Sequence, residues 1–423
     1  MNLKKLIGAL TVVGLVAPGT VLATNGYFSH GYGIKAKGMA GVGIALPQDS
    51  LAAATNPAGM VMVGDRLDVG VDWFRPQRET ELGAGFGPFA GRYSGNDTEN
   101  FFIPEFGYNK MLGWNMSAGV SVYGNGGMNT DYKDLNSRTV GLGPPPNGLL
   151  GTGKAGVDLI QLFIAPTFAY KVTKDHAIGV SLNLAYQRFA ADGLQNFDFP
   201  APFNASASPG NVTNKGGDDS YGWGIRLGWV GQVAPNVTLG ATYQTKTRMS
   251  KFDKYKGLFA EQGDFDIPEN YGIGIAVKAT PNLTLAADVQ QINYGGIKSI
   301  ANSLTSPGLL GDANGPGFGW RDMTVYKLGA SYEYSKDLTL RAGYSTTRQP
   351  IPSDQTFFNI LAPGVVENQL TLGATWTLAN KAELSVAYMH AFKKTVNGTG
   401  PSQDVNLRMY QDSLGVAYGI KFQ

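Results

Sequence analysis

Arg66-Leu67-Asp68-Val69-Gly70-Val71-Asp72-Trp73-Phe74 is the stretch that decides the fold. Leu67, Val69, Val71 and Trp73 fall on one side, and Asp68, Gly70, Asp72 and Phe74 on the other. A period of two with one apolar face marks a strand whose sides meet different media. Similar runs recur near 101–109, 115–123, 157–172, 177–190, 221–233 and 237–249. They continue near 269–279, 283–294, 324–334, 338–347, 368–378, 382–392 and 408–422. With the first, that makes about fourteen, an even count as an antiparallel bacterial barrel requires.

The connections alternate in length. Short turns at 110–114, 173–176, 234–236, 280–282, 335–337 and 379–381 carry turn chemistry such as Pro-Asn and Lys-Asp. Between them come long Gly/Pro/Asn-rich segments at 76–100, 124–156, 191–220, 250–268, 295–323, 348–367 and 393–407. Placing every long loop at one end is the asymmetry of an outer-membrane barrel, with periplasmic turns opposite extracellular loops. Tyr221, Trp223, Tyr334, Tyr344, Trp376 and Tyr418 fall near strand ends, where girdle aromatics meet headgroups. The chain ends with Phe422 one place before the terminus, a small departure from the terminal aromatic usual in barrel assembly.

Composition agrees. Charged residues are only 16% of the 423, while Gly (58), Tyr (20) and Phe (21) are abundant. A mean hydropathy of -0.12 opposes a helical membrane bundle. Without cysteine there is no disulfide framework, thiolate metal site or lipobox. A net charge of +2 gives no argument for nucleic acid. The expected fold is all-β: a transmembrane antiparallel β-barrel of about 14 strands with an N-terminal hatch in its lumen.

Residues 1–23 read as a cleaved export signal: Lys4 and Lys5, an apolar core over 6–16, a break at Pro18-Gly19, and a small residue at Ala23. Residues 24–65 have few charges and no sustained period of either 2 or 3.6. Ile34, Met39, Val42, Ile44, Leu46 and Leu51 make them too apolar for a periplasmic tail, so they are expected to fold inside the lumen as a hatch. Residues 66–423 form the barrel.

The same residues resemble the FadL-type outer-membrane transporters of long-chain fatty acids and aromatic hydrocarbons. Gly38-Met39-Ala40-Gly41-Val42-Gly43 leading to Asn56-Pro57-Ala58-Gly59 is similar to that family's hatch with its Asn-Pro-Ala signature. The likeness continues in Ile103-Pro104-Glu105-Phe106-Gly107-Tyr108, in the run from Val157 to Thr167, and in Leu338-Thr339-Leu340-Arg341-Ala342-Gly343-Tyr344. The resemblance implies a fourteen-stranded barrel gated by Asn56, Pro57, Ala58 and Gly59, with passive uptake of hydrophobic molecules. It implies capture between the third and fourth extracellular loops, where Leu194, Phe197, Phe199, Phe203, Leu258 and Phe259 stand out. It implies a lumen site near the mature N-terminus, where Tyr27 and Phe28 fall. It also implies lateral exit at a kink in the third strand. Gly119, Gly124, Gly126 and Gly127 suit a kink, and the last three suit a glycine-rich loop start equally well.

Catalysis finds little support, since His30, His176 and His390 have no sequence-level link to a serine and a carboxylate. No cofactor and no metal is expected. The partners implied are hydrophobic small molecules, outer-membrane lipid and the barrel-assembly machinery, around a monomer. Two other readings stand beside transport: a general diffusion porin, and an adhesin or receptor anchored by the barrel.

Overall fold

The computed structural model describes residues 25–138, 148–199 and 205–422. Strands β1 (Arg66–Leu82), β2 (Gly91–Ser94), β3 (Phe101–Met111) and β4 (Met116–Tyr132) come first. Then follow β5 (Ala155–Lys171), β6 (His176–Asp192), β7 (Asp218–Ala234), β8 (Val237–Gln244) and β9 (Arg248–Met249). After these come β10 (Asn270–Thr280), β11 (Leu283–Ile292), β12 (Met323–Ser335) and β13 (Leu338–Thr347). The last are β14 (Asn368–Thr377), β15 (Glu383–Val396) and β16 (Val405–Lys421). Each wall strand pairs antiparallel with its neighbours, and β16 returns to pair with β1 from Arg66↔Lys421 to Leu82↔Val405. Two short strands, β2 and β9, pair only within loops on β1 and β7, which leaves fourteen in the closed wall. Closure pairs the backbone groups that hydrocarbon could not solvate.

The two faces of the wall differ as the alternation implies. On β1, Val69, Val71 and Trp73 are exposed outward, while Arg66, Asp68, Asp72 and Phe74 are buried inward. Exposed Tyr221, Trp223, Tyr271 and Tyr326 ring one end of the barrel, and Trp114, Tyr334, Trp376 and Phe422 the other. The sequence places β4 at 115–123, with a loop beginning at Gly124. The strand instead runs on to Tyr132, because its glycines hide the alternation without breaking the ladder to β5.

Residues 25–65 cross the interior. The one-turn helix Ile34–Lys37 touches β14, β15 and β16, and the 3-10 turn Pro57–Met62 touches β4, β5, β6 and β7. Glycines on the inner wall allow this approach. A Cβ at Gly343 would stand 2.3 Å from the backbone of Met39, and one at Gly228 would stand 2.0 Å from Asn56 Oδ1.

A Gly343→Val chain is expected to close its barrel and keep heat-modifiable migration on gels while displacing the segment around Met39. Its conductance in planar bilayers should then rise severalfold over the parent.

Candidate functional site

Inward-facing wall side chains pin the N-terminal segment. Glu105 on β3 accepts from Gly33 N (3.2 Å) and Ile34 N (3.0 Å). Asp288 on β11 accepts from Gly43 N (2.8 Å) and Ile44 N (3.1 Å). Lys37 pairs with Asp72 of β1 at 2.7 Å. Lys35 pairs with Glu383 of β15 at 2.5 Å, and Arg66 and Lys421 reach the same carboxylate at 2.9 and 2.8 Å. Unpaired, these buried charges would be costly; Lys35, Lys37, Arg66, Asp72 and Glu383 are ion-paired, while Glu105 and Asp288 are held by backbone N–H groups. His30 is buried, which pushes its imidazole well below its usual range, and its Nε2 meets Gln411 at 3.1 Å.

Asn56 is the residue that ties the Asn-Pro-Ala turn together. It is 1% exposed and caps the turn Pro57–Met62 by accepting from Ala58 N at 3.1 Å. Its Nδ2 donates to Ile44 O (2.7 Å) and to Trp229 O of β7 (2.9 Å). Pro57 occupies the first position of the turn, where a missing N–H costs nothing. Ala58 is fully buried, and a Cβ at Gly59 would stand 2.6 Å from Pro47. Asp49 and Asp65 also serve as hydrogen-bond partners, Asp49 to Leu51 N and Asp65 to Lys110.

Tyr27 and Phe28 are buried in an aromatic cage. Tyr27 lies 5.2 Å from Tyr294, 6.0 Å from Trp320 and 6.1 Å from Phe265 between ring centres; Phe28 lies 5.9 Å from Tyr294. Both meet the bulge of β4, where the register to β5 shifts between Gly124 and Gly126. Phe28 bridges Gly126, Gly127 N donates to Tyr27 O (2.9 Å), and Ser29 N to Asn125 O (3.0 Å). The β3–β4 ladder stops at Phe106↔Val122, whereas β1–β3 continues to Phe74↔Phe101 and β4–β5 to Tyr132↔Ala155. Among the described residues, then, 101–105 of β3 have no ladder partner on β4. The glycines at 124, 126 and 127 belong to a strand bulge and do not begin a loop. Gly119 lies outside it, paired in register with Asn109 and Thr167.

Above the cage, among the third to sixth loops, lies a partly open apolar pocket. Leu194, Phe197, Leu258 and Phe259 line it, as the sequence places them. Phe199 does not line it and is 42% exposed, because the chain turns away after the 3-10 turn Gln195–Phe197. Phe203 lies outside the described residues. The sequence reading missed Leu310, Pro316 and Phe318 of the fifth loop and Phe358 and Leu361 of the sixth. Their segments carry no regular period, so only folding brings them to Phe259. Rings link pocket to cage: Phe259 is 4.8 Å from Phe265, which faces Tyr27.

Deeper still is a small polar cavity beneath Tyr32, lined also by Arg226, Lys327 and the Asp288 carboxylate. Arg226 donates to Gln244 Oε1 and Thr55 O, and its Nε has no partner among the described residues. Lys327 donates to His30 O (3.2 Å) and Gln290 Oε1 (3.3 Å). Neither cation has a carboxylate within 4.0 Å among the described residues. A charge at the inward parity of an otherwise apolar strand was the sequence signal for both.

Among the described residues no three His, Asp or Glu side chains form a metal group. His390 bonds to Asp412 at 2.8 Å. Asp218 accepts from Lys254 N and Asp219 from Tyr186 Oη.

Residues 20–423 match the family described as outer membrane protein transport protein (OMPP1/FadL/TodX). The chain belongs to that family. It is 23% identical over 334 residues to the long-chain fatty acid transport protein of Escherichia coli O6:H1, covering 69% of each chain. It superposes on the toluene transporter TodX of Pseudomonas putida with a TM-score of 0.70 at 17% identity, covering 93% of this chain and 99% of that one. A FadL homologue from Pseudomonas aeruginosa gives 0.70 at 15% identity, covering 94% and 100%. A member of this family is an outer-membrane β-barrel transport protein.

Asn56→Ala removes a cap and the side-chain donor that reaches Ile44 O and Trp229 O. It should lower the local stability of the turn by about 2–4 kcal/mol, read as faster hydrogen exchange over residues 44–62. Asp264, in the fourth loop, is pushed up from 3.8 to about 6 by burial and by the nearby Asp266 and Glu261 carboxylates. A raised folded pKa means the protonated loop is favoured. Its stability is greatest below 3.8 and falls as pH rises through about 6. Proteolysis at residues 258–267 should therefore quicken from pH 5 to pH 7, and Asp264→Asn should abolish that dependence.

Proposed function

We propose that this family member carries hydrophobic molecules inward across the outer membrane by passive diffusion, with residues 24–65 as its hatch. The observation that carries the reading is the unpaired stretch between β3 and β4, reached through aromatic rings from a partly open apolar pocket. Substrate enters among Leu194, Phe197, Leu258 and Phe259, passes Tyr27 and Phe28, and leaves sideways at the bulge formed by Gly124, Gly126 and Gly127. Exposing an acyl chain to water costs about 0.8 kcal/mol per CH₂, so a continuous apolar route into the bilayer removes a large barrier. Movement of the Asn56-Pro57-Ala58-Gly59 turn gates the route. The chain acts as a transporter and not an enzyme, works as a monomer, and reaches the membrane through a cleaved signal and the barrel-assembly machinery.

Arg226 and Lys327 face one cavity with no carboxylate within 4.0 Å among the described residues and with Asp288 as the acid on its wall, a balance of charge that favours a substrate with an anionic head. That points to a long-chain fatty acid ahead of a neutral aromatic hydrocarbon.

In cells lacking other porins, this chain should speed entry of labelled oleate and leave a small sugar unchanged. Faster sugar entry would instead mean an open lumen and a diffusion porin. Arg226→Met should slow oleate entry by about tenfold, one charge-assisted hydrogen bond, and leave toluene entry nearly as before. Equal losses for both would overturn the anionic head.

A further inference from the structure

We infer that the outward rim over β6, β7 and β9 is a docking surface for a phosphorylated glycolipid of the outer leaflet. Residues 246–256 hold Lys246, Arg248, Lys251, Lys254 and Lys256 against a single acid, Asp253. Arg188 of β6 joins them, and Arg188, Arg248, Lys251 and Lys254 are exposed. The patch lies at headgroup depth. Arg248 is the ladder partner of Trp223, and Arg188 lies two residues outward of Tyr186, whose ring is 5.5 Å from that of Tyr221. Tyr221 and Trp223 are 55% and 56% exposed, as lipid-facing girdle residues are.

The acids nearby are already engaged. Asp218 accepts from Lys254 N (2.8 Å), Asp219, the ladder partner of Arg188, accepts from Tyr186 Oη (2.7 Å), and Asp266 accepts from Met249 N (2.7 Å) while pairing with the patch's own Lys246 at 3.4 Å. Arg188 and Arg248 have no ion-pair partner within 4.0 Å among the described residues. The segment is held firmly, because Phe252 and Tyr255 are buried against Phe189 at 5.8 and 4.9 Å between ring centres. Exposed cations fixed just beyond an aromatic belt complement phosphates at that depth. Two residues on in the chain, Leu258 and Phe259 line the apolar pocket, so a docked lipid would brace the pocket's rim.

The test uses the detergent-solubilised full chain and native mass spectrometry, with bisphosphorylated lipid A and its dephosphorylated form as probes. The parent should retain the phosphorylated lipid in preference. The triple variant Arg188→Gln, Arg248→Gln, Lys251→Gln should retain it at least about tenfold less. A control with Lys174, Lys336 and Lys381 changed to Gln at the opposite rim should bind like the parent. The charge-keeping pair Arg188→Lys, Arg248→Lys should also retain lipid, which separates charge from misfolding. Equal retention by the parent and the triple variant would overturn the surface, as would an equal loss in the opposite-rim control. So would a matching loss of oleate binding in the triple variant, since the patch would then serve substrate carboxylates. Uptake plays no part in these readouts, so the surface stands or falls apart from the transport route.

Discussion

Backbone hydrogen bonding in a medium without water is the constraint on which the rest depends. All 17 residues of β1 are matched to β16, and this seam turns an alternating series of strands into a wall with no free edge. One place departs from it. Where the β3–β4 ladder ends, the β4 bulge takes its hydrogen bonds from Tyr27 and Ser29 of the N-terminal segment. Wall and interior therefore depend on each other, since displacing the segment also leaves the bulge unsatisfied.

The interior is organised by the same economy of polar groups. A segment with little regular structure has many orphan N–H groups, and Glu105, Asp288 and Thr371 on the inner wall accept several of them. Wall glycines let backbone meet backbone, as Gly343 does with Met39. The result is a packed filling below and an apolar pocket above, divided by the aromatic cage around Tyr27. Rigid anchoring near Asn56 contrasts with the aromatic contacts at Tyr27 and Phe28, which are less directional than charged pairs.

Strand positions were legible wherever one face met lipid. The run from Arg66 to Phe74 shows its alternation because Leu67, Val69, Val71 and Trp73 must be apolar for the bilayer. At 124–132 the signal failed, since glycines and inward packing against Tyr27 remove the contrast between faces. Leu194, Phe197, Leu258 and Phe259 stood out as apolar residues in exposed loops, and they do meet. Phe318 and Phe358 did not stand out, because a loop without period carries no record of its distant partners.

From the sequence alone came the barrel, the strand count, the filled lumen and the Asn-Pro-Ala turn as the feature to watch. The first three follow from local rules: period, turn chemistry and the apolar character of residues 24–65; the turn was singled out by the family resemblance. Tertiary structure alone decided that Asn56 binds Trp229, that Phe28 meets Gly126, that Lys35 and Arg66 share Glu383, and that Arg226 and Lys327 face one cavity. These contacts join residues that are tens to hundreds of positions apart, and barrel register with the route of the interior segment brings them together. Period-two patterning tells a side chain which face to occupy, but not which neighbour it will meet there.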